Sequence, residues 1–150
     1  NNSNKVGKFL LQERKELLED ARFTKNLLFM AAENGAADFL KLLSEHHVSL
    51  HIETEQKENL MHYAAKSKDI QTIQFLLKKG IPPNQYNKEN YSPLHFASGS
   101  GIPETIGLLL QCGLDVNAAT NNRHTPLHIA SMNIDPEVVK THQGGRNDRS

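Results

Sequence analysis

Eight histidines and one cysteine are the residues here whose chemistry could reach beyond packing. His46, His47 and His51 are close in sequence, with His47 and His51 four apart, a spacing that on a helix brings two imidazoles to one face and towards a shared metal ion. They fall in a loop region, where no helical face is guaranteed. No cysteine or acidic ligand stands near them at zinc spacing, so neither a metal nor a cofactor is expected. Cys112, just ahead of Gly113, lacks the local signature of a nucleophile paired with histidine, and a solitary cysteine excludes an intramolecular disulfide framework. There is no glycine-rich phosphate loop, no paired-carboxylate arrangement and no G-x-S-x-G. No catalytic residue and no enzyme activity are expected. His62, His95 and His128 are of another kind. They are spaced 33 residues apart, and each is followed two positions later by alanine, at Ala64, Ala97 and Ala130. A residue that recurs at a fixed period serves the repeat.

The elements around these histidines must therefore repeat as well. The surrounding text reads Asn59-Leu60-Met61-His62-Tyr63-Ala64, Ser92-Pro93-Leu94-His95-Phe96-Ala97 and Thr125-Pro126-Leu127-His128-Ile129-Ala130. Gly80 and Gly113 keep the same interval, as do Asn84 and Asn117. One period before His62 stands Phe29, in Leu27-Leu28-Phe29-Met30-Ala31-Ala32, followed by Phe39, Leu40, Leu42 and Leu43. This is a degenerate first repeat. Later repeats place Ile73, Leu76 and Leu77, then Ile106, Leu109 and Leu110, then Val138 and Val139 at the corresponding second-helix positions.

Each part of the phrase has a physical role. Ser92 and Thr125 offer a side-chain oxygen to cap a helix, and Pro93 and Pro126 follow at the first helical position, where a missing N–H costs nothing. Leu94 and Leu127 are expected to point inward, while Ala97 and Ala130 let neighbouring helices approach. Asp135-Pro136-Glu137 repeats the cap logic ahead of a second helix, and Pro103-Glu104 does so without a capping side chain. Gly80 and Gly113 suit the left-handed position that ends a helix.

The last two phrases closely match T-P-L-H-x-A, and Gly113-Leu114-Asp115-Val116-Asn117 stands where the family has G-A-D-V-N, so the chain resembles the ankyrin-repeat family. The resemblance implies an all-α solenoid of stacked helix-turn-helix units with short β-hairpin-like fingers. It also implies that the repeated histidine ties adjacent repeats together by hydrogen bonds to backbone. The expected divisions are an N-terminal capping helix at 1–22, an array at 23–140 and a tail at 141–150. The array divides into 23–53, 54–86, 87–119 and an incomplete 120–140.

The ends depart from the middle. Val6, Phe9, Leu10, Leu17 and Leu18 alternate with charged residues as on an amphipathic helix, read as a cap over the outer face of the first repeat; binding a partner is the alternative. After Val139 the apolar stripe stops, and Gly144-Gly145 disfavours further helix. Truncation of a longer array, with a vector-derived tail, is the preferred reading over an abrupt natural terminus. A monomer, or contact between copies through this incomplete end, is expected.

Seventeen basic and seventeen acidic residues cancel and form no basic stripe, so nucleic acid is not an expected partner. Lys66, Lys68, Lys78 and Lys79 read as solvated helix surface. No apolar run is long enough to cross a bilayer, and the N-terminus lacks the apolar core of a signal peptide. Cytosol or nucleus is the expected location, or a host cell's cytosol for a secreted effector.

In the family the finger tips and the exposed side of the first helices make a concave binding surface. Carried onto this chain, the first finger offers Glu53, Glu55, Gln56 and Glu58, the second Tyr86, Lys88, Glu89 and Tyr91, and the third Asn121, Asn122, Arg123 and His124. The inner helix row adds Lys66, Ser67, Gly99, Ser100, Met132 and Asn133. Tyr86 and Tyr91 are the expected anchors. Lys57, Asn90 and Arg123 stand where the family has a turn glycine, and the first and third tips are expected to differ in shape because Lys and Arg resist positive φ. The resemblance implies a non-catalytic module that binds a protein partner, or else a targeting domain of a longer protein whose activity lies elsewhere.

Overall fold

The computed structural model describes residues 2–13 and 15–134. Two short helices, α1 (Asn2–Glu13) and α2 (Lys15–Leu18), precede a series of pairs: α3 (Ala21–Glu33) with α4 (Ala37–Glu45), α5 (Leu60–Ala64) with α6 (Ile70–Lys78), and α7 (Pro93–Ser100) with α8 (Pro103–Gln111). The last described helix is α9 (Pro126–Ile134). The segment from Asp135 to Val139, read as a second helix, and the tail at 141–150 lie outside the described residues.

Local chemistry sets the helix starts. Asp20 accepts from the backbone N–H groups of Arg22 and Phe23 to cap α3, and Asp69 accepts from Gln71 to cap α6. Pro93 opens α7 and Pro103 opens α8, the latter with no capping side chain, as the sequence indicates. At the far ends, Gly80 and Gly113 adopt φ of 81° and 88°. His47 occupies the same register with φ 68°, which is unfavourable for a residue with a Cβ. Its N–H bonds the Ser44 carbonyl, and that of His46 bonds Leu43, so both histidines close α4.

The pairs stack in two rows. First helices α3, α5, α7 and α9 pack in succession on one side, second helices α4, α6 and α8 on the other. The core runs between them, through Leu28, Leu40, Leu43, Leu60, Met61, Ile73, Leu76, Leu94 and Leu109. A single repeat could not exclude water from these side chains; neighbours do it for one another.

Several expectations need correction. The first repeat begins at Ala21, so the division after residue 22 cuts α3. Leu17 packs against the core, but Phe9 is 54% exposed. The close contact of α1 is made by Gly7 instead, where a Cβ would lie 2.7 Å from Phe39 and 2.8 Å from Leu42. Leu94 is buried as expected, whereas Leu127 is 77% exposed, because among the described residues no second helix lies against α9. The described residues contain no strand; the fingers are turns.

One buried hydroxyl is left over. In α6, Thr72 donates to the Asp69 carboxylate at 3.1 Å. One period later Ile102 replaces that aspartate, and the buried Thr105 Oγ1 has no hydrogen-bond partner among the described residues. An unmet buried hydroxyl costs about 1–3 kcal/mol. Thr105→Val is therefore expected to raise stability by about 1 kcal/mol and Thr72→Val to lower it by a similar amount. Urea denaturation of the two variants checks this, since opposite signs at equivalent positions are the expected result.

Candidate functional site

Each finger is a tight loop organised by its own first side chain. Thr54 Oγ1 accepts from the N–H groups of Gln56 and Glu58, both at 3.2 Å. Asn87 Oδ1 accepts from Glu89 at 2.9 Å and Tyr91 at 2.8 Å, and Thr120 Oγ1 accepts from His124 at 3.2 Å. The backbone closes each loop identically, with Thr54, Asn87 and Thr120 donating to Glu58, Tyr91 and His124 at 2.9 Å. Lys57, Asn90 and Arg123 all adopt positive φ, at 66°, 69° and 65°. The three tips thus share one backbone shape, contrary to the expectation that the first and third would differ. The bonds within each loop outweigh a left-handed penalty of about 1–2 kcal/mol per residue.

Successive fingers are joined to one another. Lys88 N–H donates to the Gln56 carbonyl at 2.9 Å, and Asn121 N–H donates to Glu89 at 3.0 Å. Side chains reinforce the steps: Asn87 Nδ2 donates to the Glu58 carboxylate at 2.9 Å, Gln85 Nε2 to the Lys57 carbonyl at 2.7 Å, and Asn90 Nδ2 to the Ala119 carbonyl at 3.1 Å. Sequence reasoning missed Thr54, Gln85, Asn87 and Thr120. The recurrence of Thr54, Asn87 and Thr120 at the repeat interval was the available signal.

Beneath the fingers lie the histidines. His95 Nδ1 accepts from Ser92 N–H at 3.0 Å, and Nε2 donates to the Ala118 carbonyl, just ahead of the next finger, at 2.9 Å. His62 does the same, accepting from Asn59 N–H at 3.1 Å and donating to Tyr91 at 3.1 Å. Asn59 adds a bond of its own to the Pro82 carbonyl at 3.0 Å. His128 is exposed; its backbone N–H is capped by Thr125 Oγ1 at 3.2 Å, and its ring lies 5.0 Å from that of His124.

The proposed contact residues divide by exposure. Glu53, Glu55, Gln56, Lys88, Glu89, Asn121, Asn122, Arg123, Ser100 and Met132 are exposed, as is Tyr86 at 36%. Tyr91 is half-buried, with its ring 5.5 Å from His95 and 5.7 Å from Phe96. Ser67 is 4% exposed and donates to the Ala64 carbonyl at 2.7 Å, so it presents nothing to a partner. Gly99 is half-buried, and the Asn133 side chain lies outside those described.

Lys66 is not ordinary solvated surface. Its ammonium sits 4.7 Å from the Tyr63 ring and 5.1 Å from the Phe96 ring, bridging two repeats, and 3.8 Å from the Glu33 carboxylate. Aromatic faces attract such a cation. Burial pushes the Tyr63 phenol above its ordinary pKa, with the neighbouring Glu58 carboxylate adding to the shift. Among the described residues, no group of three or more His, Cys, Asp or Glu side chains could hold a metal ion.

A family model for ankyrin repeats, in three copies, matches residues 1–87 and 61–141. The chain belongs to the ankyrin-repeat family. No curated protein matches it. Ankyrin repeats are generally protein–protein interaction modules, and among the described residues no helix is long and apolar enough to cross a membrane.

The ankyrin histidines also give the fold a pH response. Burial holds His62 and His95 below the ordinary imidazole value of 6.5, outweighing the opposing pull of the carbonyls they bond. The unfolded chain therefore takes up protons first as pH falls. This stabilising contribution is full above about pH 6.5 and is lost as pH drops towards the folded values, at up to about 1.4 kcal/mol per pH unit for each histidine. Thermal midpoints are expected to fall between pH 7.5 and pH 5, and His95→Gln to flatten that slope while lowering the midpoint at every pH.

Proposed function

We propose that this chain is a non-catalytic ankyrin module that grips a partner protein through its finger tips and the inner face of its first helices. One observation carries the reading. The fingers are held by backbone bonds and by a few inward side chains, so Tyr86, Glu55, Gln56, Lys88, Glu89 and Asn122 project without side-chain hydrogen bonds or ring contacts among the described residues. A rigid backbone that leaves its outer side chains unengaged has little left to order on binding, which lowers the entropic cost. Tyr86 is the preferred anchor over Tyr91, whose ring already packs on its own repeat. Glu33 pairs with Lys66, and Glu58 of the first finger neighbours Tyr63, so the surface offers both signs of charge around aromatic rings.

The exposure of Leu127 and Met132 on α9 favours a second reading. In it the array continues and this chain is the targeting part of a longer protein, such as a microbial effector delivered to a host cell, whose activity lies elsewhere. The setting in either case is the cytosol or nucleus, or the cytosol of a host.

Immobilised wild-type protein and Tyr86→Ala, matched for thermal midpoint, are expected to capture different sets of proteins from cytosolic lysate, with a main partner reduced at least tenfold on the variant. Equal capture by both would remove the tyrosine finger as the anchor. Tyr91→Ala is expected to lower the thermal midpoint as well, because it strips a ring from His95 and Phe96.

A further inference from the structure

The join between the first repeat and the first finger lacks two of the ties found at later joins. Phe29 stands at the histidine register, so no imidazole reaches the following finger's carbonyls. The residues one period before Thr54–Glu58 are Ala21–Lys25, which form the start of α3 under the Asp20 cap and make no finger. Glu55 N–H consequently has no partner among the described residues, whereas the equivalent N–H groups of Lys88 and Asn121 bond the finger before them. Beside this join the structure holds a cavity of about 850 Å³. Leu28, Val48 and Ile52 line it, and among the described residues lining it Glu19, Glu45 and Glu53 stand against a single lysine, Lys25. His46 and His47 line it too.

We propose that this cavity receives an extended, basic segment of a partner protein, lying where the first repeat lacks its finger. A main-chain carbonyl of the segment accepts from Glu55 N–H, as Gln56 accepts from Lys88 one repeat later. An extended backbone is required, because carbonyls inside a helix are already bonded. One apolar side chain enters over Leu28, Val48 and Ile52, and flanking lysine or arginine side chains lie against the glutamates. Three carboxylates facing one ammonium select a basic occupant over an acidic one. The cavity is lined by none of the inner-row residues and by Glu53 alone of the finger residues; with the Glu55 N–H beside it the site meets the first finger at two residues and leaves Tyr86 and the inner row to the one proposed above.

The test uses a fluorescent, end-blocked pentapeptide of alternating arginine and leucine, titrated with the whole protein at low salt and followed by anisotropy. Saturable binding is expected, at least tenfold weaker to Glu19→Lys/Glu45→Lys and to Ile52→Arg, and several-fold weaker to Glu55→Pro, which removes the N–H. Circular dichroism and thermal midpoints establish that each variant is folded. Tyr86→Ala is expected to bind the peptide unchanged. No saturable binding to the wild type, or equal binding to the charge-reversed variant, would overturn the proposal. Loss of peptide binding in Tyr86→Ala alone would move the peptide to the finger surface, overturning this site and leaving the earlier reading intact. Self-association that Ile52→Arg abolishes would place a second copy there, and would overturn the proposal as well.

Discussion

A neutral imidazole that accepts on one nitrogen and donates on the other makes a stack out of separate helical pairs. His62 and His95 each accept an N–H at the start of their own helix and donate their other ring N–H to a carbonyl at the following finger, His62 to Tyr91 and His95 to Ala118 just ahead of it. Lysine or arginine could not accept, and a carboxylate could not donate; asparagine is too short to span both. Helix start, loop closure and inter-repeat spacing are therefore all fixed by one side chain. Where that side chain is absent, at Phe29, the join to the next repeat relies on packing between α3 and α5 and between α4 and α6.

The fingers extend the same economy. Each is shaped from within by Thr54, Asn87 or Thr120, and joined to its neighbour by one backbone bond per step. Because the scaffold uses main chain and inward polar groups, outward side chains can vary without disturbing it. That is why fold and partner are decoupled: the fold constrains the period, while the exposed residues answer only to what they bind.

What was legible in the sequence follows from this division. Positions fixed by stereochemistry could be read directly: Pro93 and Pro103 at helix starts, Gly80 and Gly113 at helix ends; the ties made by His62 and His95 were implied by the family resemblance. Properties that depend on neighbours could not. Leu127 obeys the same pattern as Leu94 yet stands exposed, since burial belongs to the helix that covers a side chain and not to the side chain itself. Ser67 and Tyr91 read as surface from their register, but one is consumed by a bond to Ala64 and the other by rings of its own repeat. The shape of the tips at Lys57 and Arg123 was misjudged because local φ preference was weighed without the loop bonds that override it.

The contact of α1 with α4 gives the stack a direction. Gly7 lets α1 settle directly onto Phe39 and Leu42, covering the face on which a preceding second helix would otherwise lie. α1 thus takes the place ahead of α4 in the row of second helices, as α4 does ahead of α6. Whatever else would bind the Phe39 and Leu42 face must compete with a helix of the same chain, whose local concentration is set by a short tether and not by dilution.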